Sequence, residues 1–225
     1  MVVDDKRIRI ITGHYGSGKT EFAVNYVKKL NAENKKVAIA DLDIVNLYFR
    51  SRERSAELRE AGITVISSSV EGDSLDVPAV SGAMSMPVRD KSFEYVVDLG
   101  GNDVGTLVLG RLKPIMDRNE VDLFMVVNTY RPDTATPEGV IALMKQLEAG
   151  AEMPVTGFIN NTNLIRETTA NALLDGNAVL EEVSRRTGVP IKYTSYVEDV
   201  LQEEIPIEIS GERFPMQFNM RKEWM

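Results

Sequence analysis

Eight consecutive residues, Gly13-His-Tyr-Gly-Ser-Gly-Lys-Thr20, carry the most definite chemistry in the chain. A glycine, four intervening residues and then Gly-Lys-Thr make the P-loop pattern, in which glycines let successive backbone N–H groups turn inward around phosphate oxygens. The helix N-terminus that follows adds its partial positive charge. Lys19 is expected to reach the β- and γ-phosphates of a nucleotide and the Thr20 hydroxyl to coordinate Mg²⁺. Gly13, His14, Tyr15, Gly16, Ser17 and Gly18, with Glu21 just beyond the motif, complete the expected lining of the nucleotide. A glycine turn that matches by chance would not need a strand before it and a helix after it, and both are legible here.

Two other strand ends carry carboxylates. Asp41-Leu-Asp43-Ile-Val-Asn46 closes one apolar run and Asp98-Leu-Gly-Gly101 closes another. Asp41 and Asp43, two residues apart, lie on the same side of an extended chain. At the carboxyl edge of an α/β sheet, near a metal and a triphosphate, they can coordinate Mg²⁺ through water and orient an attacking water. Asp98 can hold Mg²⁺ in the same way while Gly101 brings its backbone N–H to the γ-phosphate. No Glu follows Asp98, so the Asp-Glu pair of transporter-type and RecA-type ATPases is missing. The competing readings are turn residues for Asp41 and Asp43, and a helix cap or turn residue for Asp98.

The elements that must position these groups are apolar, β-branched runs alternating with helical stretches. Strands are expected at Ile8–Thr12, Val37–Asp41, Ile63–Ile66, Tyr95–Leu99, Val121–Asn128, Val155–Asn160 and Pro190–Tyr193. Helical periodicity covers Lys19–Leu30, Pro137–Ala149 and Glu167–Thr187. Continuous apolar strands separated by helices predict an α/β, Rossmann-like P-loop fold: a mostly parallel central sheet with helices on both faces. The expected organisation is a single nucleotide-binding domain over residues 1–225, with a core at 1–204, an irregular insertion between Ser67 and Asp90, and a tail at 205–225. In that tail Phe214, Met216, Phe218 and Met220 alternate with Pro or polar residues and Trp224 follows. It either packs along its own domain or docks a partner or membrane; period two argues against an amphipathic membrane helix.

Bulk properties narrow the function. With 26 basic and 34 acidic residues the net charge is −8, which argues against a general electrostatic grip on nucleic acid or on an anionic membrane. The chain has no cysteine, so it supplies no disulfide, thiolate zinc site or iron–sulfur ligand. The N-terminal residues lack the apolar core of a signal peptide, and no stretch approaches the ~20 apolar residues of a membrane span. A soluble, cytoplasmic protein is expected.

Gly-x-x-Gly-x-Gly-Lys-Thr, then Val-Ala-Ile-Ala-Asp-Leu-Asp-Ile at the second strand, then Asp-x-x-Gly, resembles the MinD/ParA/CobQ/CobB class of deviant P-loop (SIMIBI) ATPases over most of residues 7–200. The resemblance implies ATP at the carboxyl edge of the sheet, often between two subunits of a homodimer. It implies that Asp43 is the water-activating aspartate, Asp41 the nearby Mg²⁺-site aspartate and Asp98 the switch II aspartate. Many members carry a lysine directly after the first glycine, reaching the partner's phosphates; here that position is His14, which contacts phosphate or a partner or is a plain loop residue. Arg50, Arg52 and Arg54 could supply the charge instead, or begin a solvated basic helix.

Members also end a later strand in Gly-x-x-x-Asn, matched by Gly157–Asn161, and the Asn161 amide offers a donor and an acceptor to adenine. Capping of the next helix is the alternative. The guanine-reading Asn-Lys-x-Asp is absent, which favours ATP over GTP. The expected function is an ATP- and Mg²⁺-dependent ATPase that switches a protein partner, a metallo- or cofactor-dependent enzyme. The alternatives are a ligase or kinase of the dethiobiotin-synthetase or amidoligase type, using Ser67–Asp73 and Asn128–Pro132 around a substrate, and a ParA/MinD-like positioning ATPase.

Overall fold

The computed structural model describes residues 5–42, 55–67, 77–100, 109–110 and 112–219. The strands are β1 (Ile8–Gly13), β2 (Lys36–Asp41), β3 (Thr64–Ser67), β4 (Phe93–Asp98), β5 (Val121–Val127), β6 (Gly157–Asn160), β7 (Ile191–Val197) and β8 (Glu212–Met216). The helices are α1 (Lys19–Ala32), α2 (Ser55–Glu60), α3 (Val77–Arg89), α4 (Pro137–Ala151) and α5 (Ala170–Thr187). The strand order is β3-β2-β4-β1-β5-β6-β7-β8. Every residue of β1, β5 and β6 is buried whichever way it points. A strand buried on both faces needs cover on both, which is why these segments read as mainly apolar runs, with Arg9 in β1 and Asp122 in β5 as charged exceptions. This is the α/β, parallel-sheet P-loop architecture that the sequence predicts.

The chain forms two compact units, Met1–Ile11 with Ala23–Asp122 and Asn219–Met225, and Thr12–Phe22 with Leu123–Phe218. In the first, β2 pairs in parallel with β3 and β4, and β4 with β1. The registers match the strand ends: Asp41 is opposite both Ser67 and Asp98, and Asp98 is opposite Ile11. The stretch expected as an irregular insertion instead contains α3, which packs against β3 and β4. Pro78 and Pro87 disguise this helix in the sequence. Pro78, in the first turn, loses no helical hydrogen bond, whereas Pro87, in the last turn, gives up the one to the Ala83 carbonyl. Met84 and Val88, four residues apart, are its buried stripe. Arg7 donates through Nη1 to the Pro87 carbonyl at 2.8 Å and through Nη2 to that of Val88 at 3.0 Å, satisfying helix-end acceptors.

In the second unit β5, β6, β7 and β8 pair in parallel, one after the next. Strand β8 lies within the stretch expected as a tail and packs it along its own domain, the first of the two readings. Phe214 and Met216 are buried, and Phe214 lies 4.7 Å from Phe22 and 5.4 Å from Tyr193 between ring centroids. The period-two alternation is therefore that of a strand in the sheet. Met220 and Trp224 lie outside the described residues. Helix α4 opens on Thr136, whose hydroxyl accepts from the Gly139 N–H, with Pro137 in the first turn. Helix α5 opens on Thr169 and closes on Gly188 at φ 74°, whose N–H returns to the Ser184 carbonyl at 2.8 Å. No helix among the described residues is long and apolar enough to cross a membrane.

Candidate functional site

The P-loop begins where β1 ends. Gly13 has φ +155° and leaves no room for a side chain: a Cβ there would meet the Val126 carbonyl oxygen at 2.4 Å and Ser17 Oγ at 2.8 Å. The loop closes on itself through the Ser17 N–H, which donates to the His14 carbonyl at 3.1 Å, and α1 starts with the Phe22 N–H donating to the Gly18 carbonyl at 3.0 Å. Lys19 and Thr20 form the first turn of α1 and are buried, 4% and 5% exposed. A lysine kept that far from water at a helix N-terminus suits an anionic ligand. The buried hydroxyls of Thr12 and Ser17 have no hydrogen-bond partner among the described residues. The orphaned Ser17 hydroxyl within the loop, together with a backbone path that only glycine can follow, fits a bound polyphosphate.

Asn161 holds this loop from outside. Its Nδ2 donates to the Ser17 carbonyl at 2.7 Å, and its Oδ1 accepts from Ser195 Oγ on β7 at 2.9 Å. Gly18, at φ +86°, lets the amide in: a Cβ there would sit 2.3 Å from Asn161 Nδ2. The side chain expected to read the base thus uses one donor and one acceptor on the loop and on β7, and keeps a second hydrogen and a second lone pair. Asn160, beside it, donates to the Leu173 carbonyl and accepts from the Thr162 N–H, tying the end of β6 to α5.

The segment after β5 reaches the tip of the same loop. Arg131 Nε donates to the Gly16 carbonyl at 3.0 Å, and His14 Nε2 lies 3.1 Å from Asp133 Oδ2. His14 is therefore engaged by a carboxylate of its own chain. The turn is firm: Asn128 Oδ1 accepts from the Tyr130 N–H at 3.0 Å and Thr134 Oγ1 donates to the Asn128 carbonyl at 2.7 Å. In the sequence, Arg131 stood out only as part of the Asn128–Pro132 stretch of the alternative substrate pocket, and Asp133 and Ser195 did not stand out at all. Their only signal was position, since each follows or sits on a buried strand whose carboxyl end faces the ligand edge of such sheets.

The carboxylates stand in the other unit. Asp41 and Asp98 are register partners at the ends of adjacent strands, 4% and 0% exposed. The Leu42 N–H donates to the Asp98 carbonyl at 2.8 Å, locking the two strand ends in line. No group of three or more His, Cys, Asp or Glu able to hold a metal occurs among the described residues. A Mg²⁺ ion that keeps its waters and binds nucleotide phosphates needs only one or two carboxylates, and Asp41 and Asp98 present two at neighbouring strand ends. Asp43, Gly101, Arg50, Arg52 and Arg54 lie outside the described residues, as do residues 68–73.

A family model for the CobQ/CobB/MinD/ParA nucleotide-binding domain matches residues 8–174. Among solved structures, the signal recognition particle receptor FtsY of Elizabethkingia anophelis is 17% identical with a TM-score of 0.55, over 85% of this chain and 59% of that one. FtsY of Thermotoga maritima is 20% identical with a TM-score of 0.56, over 84% and 60%. The Elizabethkingia protein has also been solved in complex with GDP, and there the identity is 18% and the TM-score 0.56, over 86% and 58%. The chain thus spans about three fifths of the length of these structures, and at such identities the likeness is one of fold. No curated protein sequence matches it. The matched segment contains the P-loop, both strand-end aspartates and the Asn161 brace, and the chain belongs to the CobQ/CobB/MinD/ParA nucleotide-binding family.

Proposed function

We propose that residues 1–225 act as one nucleotide-binding domain that takes ATP with Mg²⁺, hydrolyses it and switches a cytoplasmic protein partner, an enzyme dependent on a metal or organic cofactor. The observation carrying this reading is the loop itself: Gly13–Thr20 between β1 and α1, with Lys19 and Thr20 buried and Asn161 fastened to the Ser17 carbonyl. Lys19 would contact the β- and γ-phosphates; the Thr20 hydroxyl, Asp41 and Asp98 would hold Mg²⁺, which would neutralise charge on the phosphates. Asp43 orients the attacking water and Gly101 offers its N–H to the γ-phosphate. The amide hydrogen and lone pair that Asn161 has left over suit the edge of adenine, which presents a donor beside an acceptor. The His14–Asp133 pair supports a loop served by its own chain, with a second subunit adding to the site and not completing the loop.

Equilibrium titration with ATP and GTP, with and without Mg²⁺, tests the reading, with Lys19→Ala as control. Tight Mg²⁺-dependent ATP binding that Lys19→Ala abolishes is the expected result. Preference for GTP would overturn the base assignment, and wild-type affinity in Lys19→Ala would overturn the phosphate site.

A further inference from the structure

Among the described residues of the same compact unit, Arg131 is a cation besides Lys19 that touches the P-loop. Arg131 leaves β5 by a firm turn and lays its guanidinium across the loop tip. Nε donates to the Gly16 carbonyl at 3.0 Å, and Nε, Cζ and Nη2 stand 3.2, 3.2 and 3.3 Å from where a Gly16 Cβ would be. A single hydrogen bond through Nε fixes the plane of the group. Its two Nη nitrogens, four N–H donors in all, have no hydrogen bond or ion pair with any described residue. The imidazole beside it cannot take its place, because His14 is paired with Asp133. A full charge is thus held at the mouth of an anion-binding loop with its strongest donors uncommitted, in a protein whose net charge is −8.

Phosphate oxygens are what such a group recognises. A guanidinium is permanently charged, weakly hydrated and shaped to meet two oxygens at once. Bonded to the Gly16 carbonyl, it sits on the glycine loop itself, the kind of loop whose N–H groups cradle phosphates. A nucleoside diphosphate already has Lys19 and the helix N-terminus; the additional charge of a triphosphate is what a second cation would serve. We infer that Arg131 is a specificity residue that distinguishes nucleoside triphosphate from diphosphate, acting from within the same chain. This rests on the proposed nucleotide site.

Titration of wild type, Arg131→Ala and Arg131→Lys with Mg²⁺–AMPPNP and Mg²⁺–ADP, with folding monitored by circular dichroism, tests it. A charge-assisted hydrogen bond lost in Arg131→Ala should weaken AMPPNP about tenfold or more while ADP changes less than about threefold. Arg131→Lys, which keeps the charge without the fork, should recover part of the lost ratio. A parallel loss for both nucleotides, or none for either, would reduce Arg131 to a brace for Gly16 and overturn the inference while leaving the nucleotide site standing. A wild type that binds neither nucleotide would overturn both.

Discussion

The Asn161 side chain, at the end of β6, donates to the Ser17 carbonyl at 2.7 Å, so the amide expected to face the base is also a strut of the phosphate loop. This explains two sequence features together. Gly18 must lack a side chain for Asn161 to approach, and Ser195 must offer a hydroxyl to turn the amide the right way. A loop that holds its N–H groups in place before ligand arrives loses less entropy on binding.

Asn161→Asp is the sharpest test of that strut. It preserves size, removes the donor and sets a carboxylate against a carbonyl oxygen inside the protein. A buried hydrogen bond broken with one partner left behind costs about 1–3 kcal/mol, which corresponds to roughly tenfold or more in ATP affinity if the loop distorts. Titration of the folded variant checks this, and an unchanged dissociation constant would detach Asn161 from the loop.

The pairing of Asp41 with Asp98 across β2 and β4 places two buried carboxylates at neighbouring strand ends. Asp98→Asn should shrink the gain in ATP affinity that Mg²⁺ confers by about tenfold, the low end for loss of an outer metal ligand, while Mg²⁺-free binding stays nearly constant. Asp43→Ala should bind ATP but turn it over far more slowly. Equal loss with and without Mg²⁺ would remove Asp98 from the metal site, and unchanged turnover would remove Asp43 from the chemistry.

Much of this was legible in the sequence because each feature is local. Gly13–Thr20 declares its loop in eight residues, and buried parallel strands such as β1 and β5 show as mainly apolar runs. What was hidden depends on distant partners or on residues with a misleading local preference. Two prolines masked α3, though Pro78 stands in the first turn, where a helix tolerates it, and Pro87 falls only two residues before the end. Strand β8 contains Pro215 and looked like a tail, because the rings that Phe214 packs on include Tyr193 and Phe22, far away in the chain. Arg131 touches Gly16 across 115 positions, and nothing in its neighbours' identity announces that contact.

Phe214→Ala should destabilise the unit that carries the loop. The ring is fully buried against Phe22, in the first turn of α1, and Tyr193 on β7. Removing it leaves a cavity worth about 3–5 kcal/mol at a typical buried phenylalanine. Denaturant unfolding should show the loss, and saturating ATP should restore part of it by mass action. A variant as stable as wild type would mean that β8 is dispensable.

Acid should loosen α4 and α5 by a defined route. Glu182 accepts from Arg185 and from Arg186 in the last turns of α5, and Arg186 reaches on to Glu138 in the first turn of α4. The hydrogen bond from Arg185 first, and that from Arg186 next, hold the Glu182 carboxyl down at about 2, against 4.5 ordinarily. Glu138 is shifted in the same direction, chiefly by Arg186. The folded form of Glu182 therefore binds its proton more weakly than the unfolded form does. Its contribution to stability is present above pH 4.5 and disappears as pH falls from there toward 2. These groups are exposed, so the effect is small and salt reduces it. Thermal midpoints of wild type and Glu182→Gln should differ at pH 6 in low salt and converge as the pH drops through that window. A gap that stays constant from pH 6 to pH 2 would show that the carboxylate's charge does not hold the two helices together.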